Sequence, residues 1–318
     1  MLHRRVSAVR SFPSVGGFLP SFTACAAAVA FAVLTPVSPL SAQVDPFETE
    51  GRQIVLVTGS TDGLGREVAL RLGASGAHVI VHGRNIERGL AVVHEIESSS
   101  GTARFIQADL ASLAQVRELV EIVTRDYDRL NLLVNNAGIG RGQDNAPREV
   151  SADGHELRFA VNYLSHFMLT RSLLPLLRAG APSRIVSVSS AAQTPIDFDD
   201  VMLEGPPYAG ERAYAQSKLA QIFMTFDLAE ELEGTGITAN AVHPETYMDT
   251  SMVRERGGTA FATVDEGADA VMNVITSPDA GNGQYFNILE VGRANSQAYD
   301  PEARARLREL SLELTGLN

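Results

Sequence analysis

The sequence predicts an α/β fold, a doubly wound parallel sheet in a single domain. Three observations carry that expectation. From Gln53 onward, short β-branched runs alternate with helical stretches on a regular beat. The runs are apolar on both faces, as strands buried inside a parallel sheet must be. The first run is followed at once by a glycine-rich string that opens a helix.

The elements follow in order. Ile54-Val55-Leu56-Val57 is the first strand, followed by a helix over 63–74. His78-Val79-Ile80-Val81 precedes a helix over 86–99, and Arg104-Phe105-Ile106 precedes one over 112–126. Leu132-Leu133-Val134 leads to 154–179, the strand 184–188 to 211–233, and the strand 237–242 to 264–276. Gln284-Tyr285-Phe286 is a last short strand. The stretch 192–210, rich in Pro, Gly and Asp, is too short for a domain. Residues 47–318 are therefore expected to form one unit.

Composition narrows the function. The 318 residues are 45% hydrophobic and 20% charged, which is ordinary globular usage. A net charge of −12 lacks the basic field that gathers phosphates, so nucleic acid is excluded as a partner. The single cysteine, Cys25, excludes an internal disulfide and a Cys-rich zinc site. His155 and His166 share a helix without acids at ligand spacing, so no metal is expected.

The first residues differ from the rest. Arg4, Arg5 and Arg10 are the only charges before Asp45, and an apolar run over 24–34 lies between Pro20 and Pro36. The run is short for a bilayer span, and Ser41-Ala42 follows it. Residues 1–42 thus resemble a secretory signal or a tethering leader, which favours export or a membrane tether. If the start is assigned too early, the protein is cytoplasmic.

After the first strand comes Thr58-Gly59-Ser60-Thr61-Asp62-Gly63-Leu64-Gly65. Glycines there let the backbone turn tightly and approach a pyrophosphate on the amides of the next helix, the Rossmann-type arrangement. Gly59, Ser60, Thr61, Gly63, Leu64 and Gly65 are the candidate cofactor loop. The second strand ends in His82-Gly83-Arg84 with no carboxylate to accept a 2′-hydroxyl. Arg84 suits the 2′-phosphate of NADP, making NAD the less favoured cofactor. Asp62 stands just before the second loop glycine, where many NADP-using proteins that this loop resembles carry a basic residue.

Of 26 basic side chains, one alone is lysine, Lys218. It lies four residues after Tyr214, which puts both heads on one helix face. A phenol with a pKa near 10 is too weak an acid for neutral pH, and a neighbouring ammonium is expected to lower it. Tyr214 could then pass a proton to or from a substrate oxygen. Ser190 ends the fifth strand, where a hydroxyl faces the ligand crevice of an open sheet.

The glycine spacing Thr-Gly-x3-Gly-x-Gly resembles the short-chain dehydrogenase/reductase family. Tyr-x3-Lys-Leu-Ala and 234–238 resemble its retinol-dehydrogenase and protochlorophyllide-reductase-like branch. The resemblance implies an oxidoreductase that interconverts an alcohol and a carbonyl on a small molecule. It assigns Ser190 to the substrate oxygen, Lys218 to the nicotinamide ribose and Asn162 to a water in the proton path. Asp109, with Leu110 beside it, matches the adenine contact, and Asn136 lies in the Asn-Asn-Ala-Gly turn beside the cofactor. Reduction of an activated C=C bond and a non-catalytic NADP(H) sensor are the alternatives. Glu245 replaces the family's usual glycine, residues 246–260 are expected to form a substrate lid, and His243 is expected to be structural. Many relatives associate, so a homo-oligomer is an expectation too.

Overall fold

The structure, a computed structural model, describes residues 49–255 and 257–317. The leader expected over 1–42 lies outside them. Eight strands form one sheet: β1 (Ile54–Val57), β2 (His78–Gly83), β3 (Thr102–Gln107), β4 (Leu132–Asn135), β5 (Ser183–Val188), β6 (Ile237–His243), β7 (Tyr285–Asn287) and β8 (Glu290–Val291). Their order is β3-β2-β1-β4-β5-β6-β7-β8. All neighbours are parallel except β7 and β8. The chain reverses direction across the sheet between β1 and β4, and a crevice opens there at the strands' carboxyl ends.

Strand alternation builds two cores. Ile54 and Leu56 of β1 join Ile80, Leu133 and Ile185 on one face. Val55 and Val57 join Val79, Val134 and Val186 on the other. The second face is covered by α1 (Gly63–Ala74), α2 (Ile86–Glu97) and α7 (Val264–Thr276). The first is covered by α3 (Leu113–Asp126), α4 (Ser165–Ala179), α5 (Gly210–Glu231) and α8 (Pro301–Thr315). A short α6 (Ser251–Arg254) lies between them in sequence. Starts and stops carry the usual chemistry: Asn85 and Ser112 cap α2 and α3, and Thr263 with Glu266 forms a capping box on α7.

Two elements differ from expectation. The stretch expected as one helix over 154–179 is divided, with a π-helical turn over Phe159–Leu164 before α4. One inserted residue leaves the apolar periodicity nearly intact, so the pattern conceals it. The closing β8 and α8 were not foreseen. The buried residues of α8 are Ala303, Arg304, Leu307, Ser311 and Thr315, with one large apolar side chain among them. Its Ser311 meets the buried Tyr163 hydroxyl at 2.7 Å.

The helix α5 has a different character. Every residue from Ala215 to Ala229 is buried, since β5 and β6, the π turn and α8 all pack against it. A helix enclosed on all sides carries its polar residues into the interior.

Candidate active site

The glycine loop is fixed from below by one hydroxyl. Thr58 Oγ1 accepts from the amides of Asn136 and Ala137, each at 2.9 Å. The Asn136 side chain returns a bond to the Thr58 carbonyl at 2.8 Å. Gly59, at φ +64°, has no room for a side chain, since an added Cβ would lie 2.8 Å from the Ala137 Cα. Asp62 caps α1 by accepting from the Gly63 amide at 2.8 Å.

A cavity of about 1040 Å³ lies over the strands' carboxyl ends. Gly59, Thr61, Gly63, Leu64 and Gly65 line one part of it; Arg84, Asp109, Leu110 and Asn136 line the next. Ser190, Tyr214 and Lys218 line the rest, together with Glu245 and His243. Two candidate residues are not brought to its wall. Ser60 turns inward, where its hydroxyl donates to the Val57 carbonyl at 2.8 Å and accepts from the His82 amide at 3.0 Å. Asn162 is fully buried in the π turn and acts as a brace. It bonds both backbone groups of Ile139 and donates to Ser217 Oγ at 2.9 Å, and Ser217 in turn donates to the Tyr214 carbonyl.

At the loop end, Arg84 is exposed and lies 3.9 Å from Asp109. Arg88, not singled out in the sequence, lies 3.3 Å from Asp62. Its signal was helical geometry, one turn beyond the second strand's end on the same side as Arg84. His82 was also passed over. It is buried, and its Nδ1 accepts from the Gly59 amide at 3.2 Å, so the ring proton sits on Nε2. Burial pushes the imidazole down to about 4, against a contact with the Ala108 backbone that raises it.

At the other end, Tyr214 and Lys218 share a face of α5, with Nζ 5.8 Å from the phenol ring centre. Nζ donates to the Val188 carbonyl and to Gln221 Oε1, each at 2.9 Å. Burial alone pushes the ammonium down to about 7. Burial also raises the Tyr214 phenol above its ordinary value, against a hydrogen bond from the Ser190 side chain that lowers it. The expected lowering of the phenol by Lys218 does not appear: the ammonium is held by two other acceptors, and the Ser190 side chain is the group that lowers the phenol. The phenol is protonated at neutral pH.

His243, expected to be structural, lines the cavity. Its Nε2 meets Thr246 Oγ1 at 3.1 Å, while its buried Nδ1 has no partner among the described residues. Glu245 accepts from the Thr246 amide at 2.9 Å. In the stretch 246–260, Thr250, Ser251 and Met252 line the cavity, and the Ser251 hydroxyl donates to Asp62. Gln143 Nε2 donates to the Glu255 carbonyl at 3.3 Å. This segment thus spans from the glycine loop to the turn after β4. Among the described residues, no three His, Cys, Asp or Glu side chains gather as metal ligands. No helix among them is long and apolar enough to cross a membrane.

Comparison with known proteins identifies the family of this fold. The sequence profile described as short chain dehydrogenase matches residues 53–260. Human retinol dehydrogenase 13 is 34% identical over 285 residues, covering 83% of this chain and 84% of the relative. Human polyprenol dehydrogenase is 32% identical, covering 83% and 86% respectively. A Burkholderia cenocepacia short chain dehydrogenase solved in complex with NADP is 32% identical, with a TM-score of 0.60 over 74% of this chain and 96% of that one.

Proposed function

The chain belongs to the short chain dehydrogenase family of oxidoreductases, and on that premise we propose an NADP-preferring enzyme that interconverts an alcohol and a carbonyl on a small or medium apolar molecule. The observation that carries this reading is the convergence of Ser190, Tyr214 and Lys218 on the wall of the cavity that the glycine loop opens.

The residues fit a dinucleotide. The first amides of α1 have no intrahelical carbonyl to bond and open on the cavity, as an anion site does. The buried Nδ1 of His243, which has no partner among the described residues, belongs to a cavity-lining ring. Lys218 has three N–H groups and gives two of them to the protein. Arg84 and Arg88 flank the position where a 2′-phosphate would lie, and Asp62, engaged by Gly63, Arg88 and Ser251, is not free to claim a ribose hydroxyl. When bound, the nicotinamide supplies the hydride.

The chain's own residues supply the proton and the alignment. The protonated Tyr214 phenol donates to a carbonyl oxygen in the reducing direction, and Ser190 holds that oxygen. Lys218 places positive charge beside the phenol, stabilising the phenolate as it forms. Asn162 fixes the turn at Ile139 and the start of the reactive helix face. Segment 246–260 acts as the lid. The names of the relatives point to isoprenoid alcohols as a first panel.

The test is NADPH oxidation by the purified chain against apolar aldehydes, retinal among them. Turnover with at least one, lost in Tyr214→Phe, is expected. Tight NADPH binding without turnover across the panel would replace the enzyme with a nucleotide sensor.

A further inference from the structure

The amide of Gln221 is oriented at a cost. Gln221 lies one turn beyond Lys218 on α5 and is completely buried. Its Oε1 accepts from Lys218 Nζ at 2.9 Å, while its Nε2 has no partner among the described residues. A buried donor without an acceptor is destabilising. Reversing the amide would turn its NH2 against the ammonium and leave that cation with one acceptor. The orientation seen is the one the lysine requires.

The surroundings explain why this acceptor matters. No carboxylate among the described residues offsets the burial of Lys218. The ionisable groups within electrostatic reach of it are His166 on α4 and His243 on β6, both pushed down by burial and uncharged near neutrality. The Tyr214 ring is the third neighbour, and it too is neutral there. The cation is thus held by two neutral oxygens, those of Val188 and Gln221. The amine also lies beside Gly138, where an added Cβ would sit 3.5 Å from Nζ, and both residues line the cavity.

We propose that Gln221 is a positioning residue: its carboxamide oxygen keeps the buried Lys218 amine protonated and aims its remaining N–H at the cavity. This rests on the reading of Lys218 as the ammonium of the site. A neutral acceptor serves where an acid would not. A carboxylate at 221 would hold the ammonium in an ion pair and cancel its field at the phenol. An apolar residue would leave a buried cation short of a partner.

The single lysine makes the test direct. The full chain grown with ε-¹³C-lysine carries one labelled side chain, so one NMR signal titrates and it is Lys218. Gln221→Met keeps the shape and removes both the acceptor and the unpartnered donor. Its lysine midpoint is expected to fall by about one to two pH units, while the melting temperature holds or rises. Gln221→Glu is expected to move the midpoint upward. A midpoint unchanged in Gln221→Met would overturn the proposal, because a purely structural glutamine would alter melting alone. If that variant does not fold, Gln221→Asn, whose shorter side chain draws the acceptor back, decides by the same downward shift or its absence. The titration needs no turnover, so its failure is distinct from failure of the carbonyl-reducing activity. In a chain that turns over, the activity lost in Gln221→Met is expected to grow with pH, following the lowered midpoint.

Discussion

Arg84 and Lys218 mark opposite ends of one cavity and carry the same charge in different solvents. The Arg84 side chain is 71% exposed, in water that screens it. Lys218 is 4% exposed and, among the described residues, has only neutral oxygens for partners. A guanidinium in water acts as an adaptable fork for an anion, and its removal leaves nothing stranded. An ammonium in the interior has a protonation state set by its neighbours, so it belongs to the chemistry of the site. On the proposed reading, the binding charge sits in solvent and the reactive charge sits where the protein controls it.

The largest effect is expected at the buried end. Tyr214→Phe removes the proton and the Ser190 contact and leaves ring packing intact. The chemical step is expected to fall by about 10² or more, with NADPH affinity nearly unchanged. Single-turnover kinetics with a binding isotherm would check this, and unchanged turnover would remove the phenol from the mechanism.

The same burial has a stability signature. Burial holds the Lys218 amine down to about 7 in the folded chain, against 10.5 for a lysine in the unfolded chain. Between those values the unfolded chain binds more protons, so this group's contribution to stability rises with pH across about 7 to 10.5 and is lost as pH falls through that window. Lys218→Met removes the penalty of a buried cation. The variant is expected to exceed the wild type by a few kcal/mol at neutral pH, with the gap closing toward pH 10. Denaturant midpoints of the cofactor-free chain at both ends of the window would show it. A gap that is constant with pH would mean that lost packing, not charge, sets the difference.

These two ends were not equally legible in the sequence. The alternation of strands and the loop spacing are local patterns, and they placed the sheet and its crevice. Spacing of four likewise put Tyr214 and Lys218 on one face of α5. What spacing could not show was sidedness and burial. Ser60 sits among glycines of the loop yet turns its hydroxyl into the sheet. The acidity expected of Tyr214 assumed that Lys218 would act on the phenol, whereas the ammonium is held by the Val188 and Gln221 oxygens and partial burial of the phenol raises it. His82, Arg88 and Gln221 take their meaning from contacts made only after folding. Asn162 matched a motif position, and its place as a brace between Ile139 and Ser217 needed the π turn.

At the exposed end the expected losses are smaller and selective. Arg84→Ala is expected to reduce kcat/KM for NADPH by about tenfold, the worth of a charge-assisted contact in water, and to leave NADH nearly unchanged. Kinetics with both cofactors would separate the outcomes, since equal losses would place the arginine away from the 2′-phosphate.

The smallest effect sharpens the contrast, because it is expected as a gain. Asp62 draws Arg88 toward itself at 3.3 Å and accepts from the Ser251 hydroxyl of the 246–260 segment. Asp62→Asn keeps an oxygen to cap α1, so the helix start survives. It removes a negative charge from the end of the cavity where a phosphate would bind, and releases Arg88. Affinity for NADPH is expected to rise about two- to fivefold at low ionic strength, with NADH unaffected and the gain fading as salt shortens the reach of exposed charges. Cofactor titrations at low and high salt would show it. A loss of affinity for both cofactors would mean instead that the bond between Asp62 and Ser251 outweighs its repulsion of the phosphate.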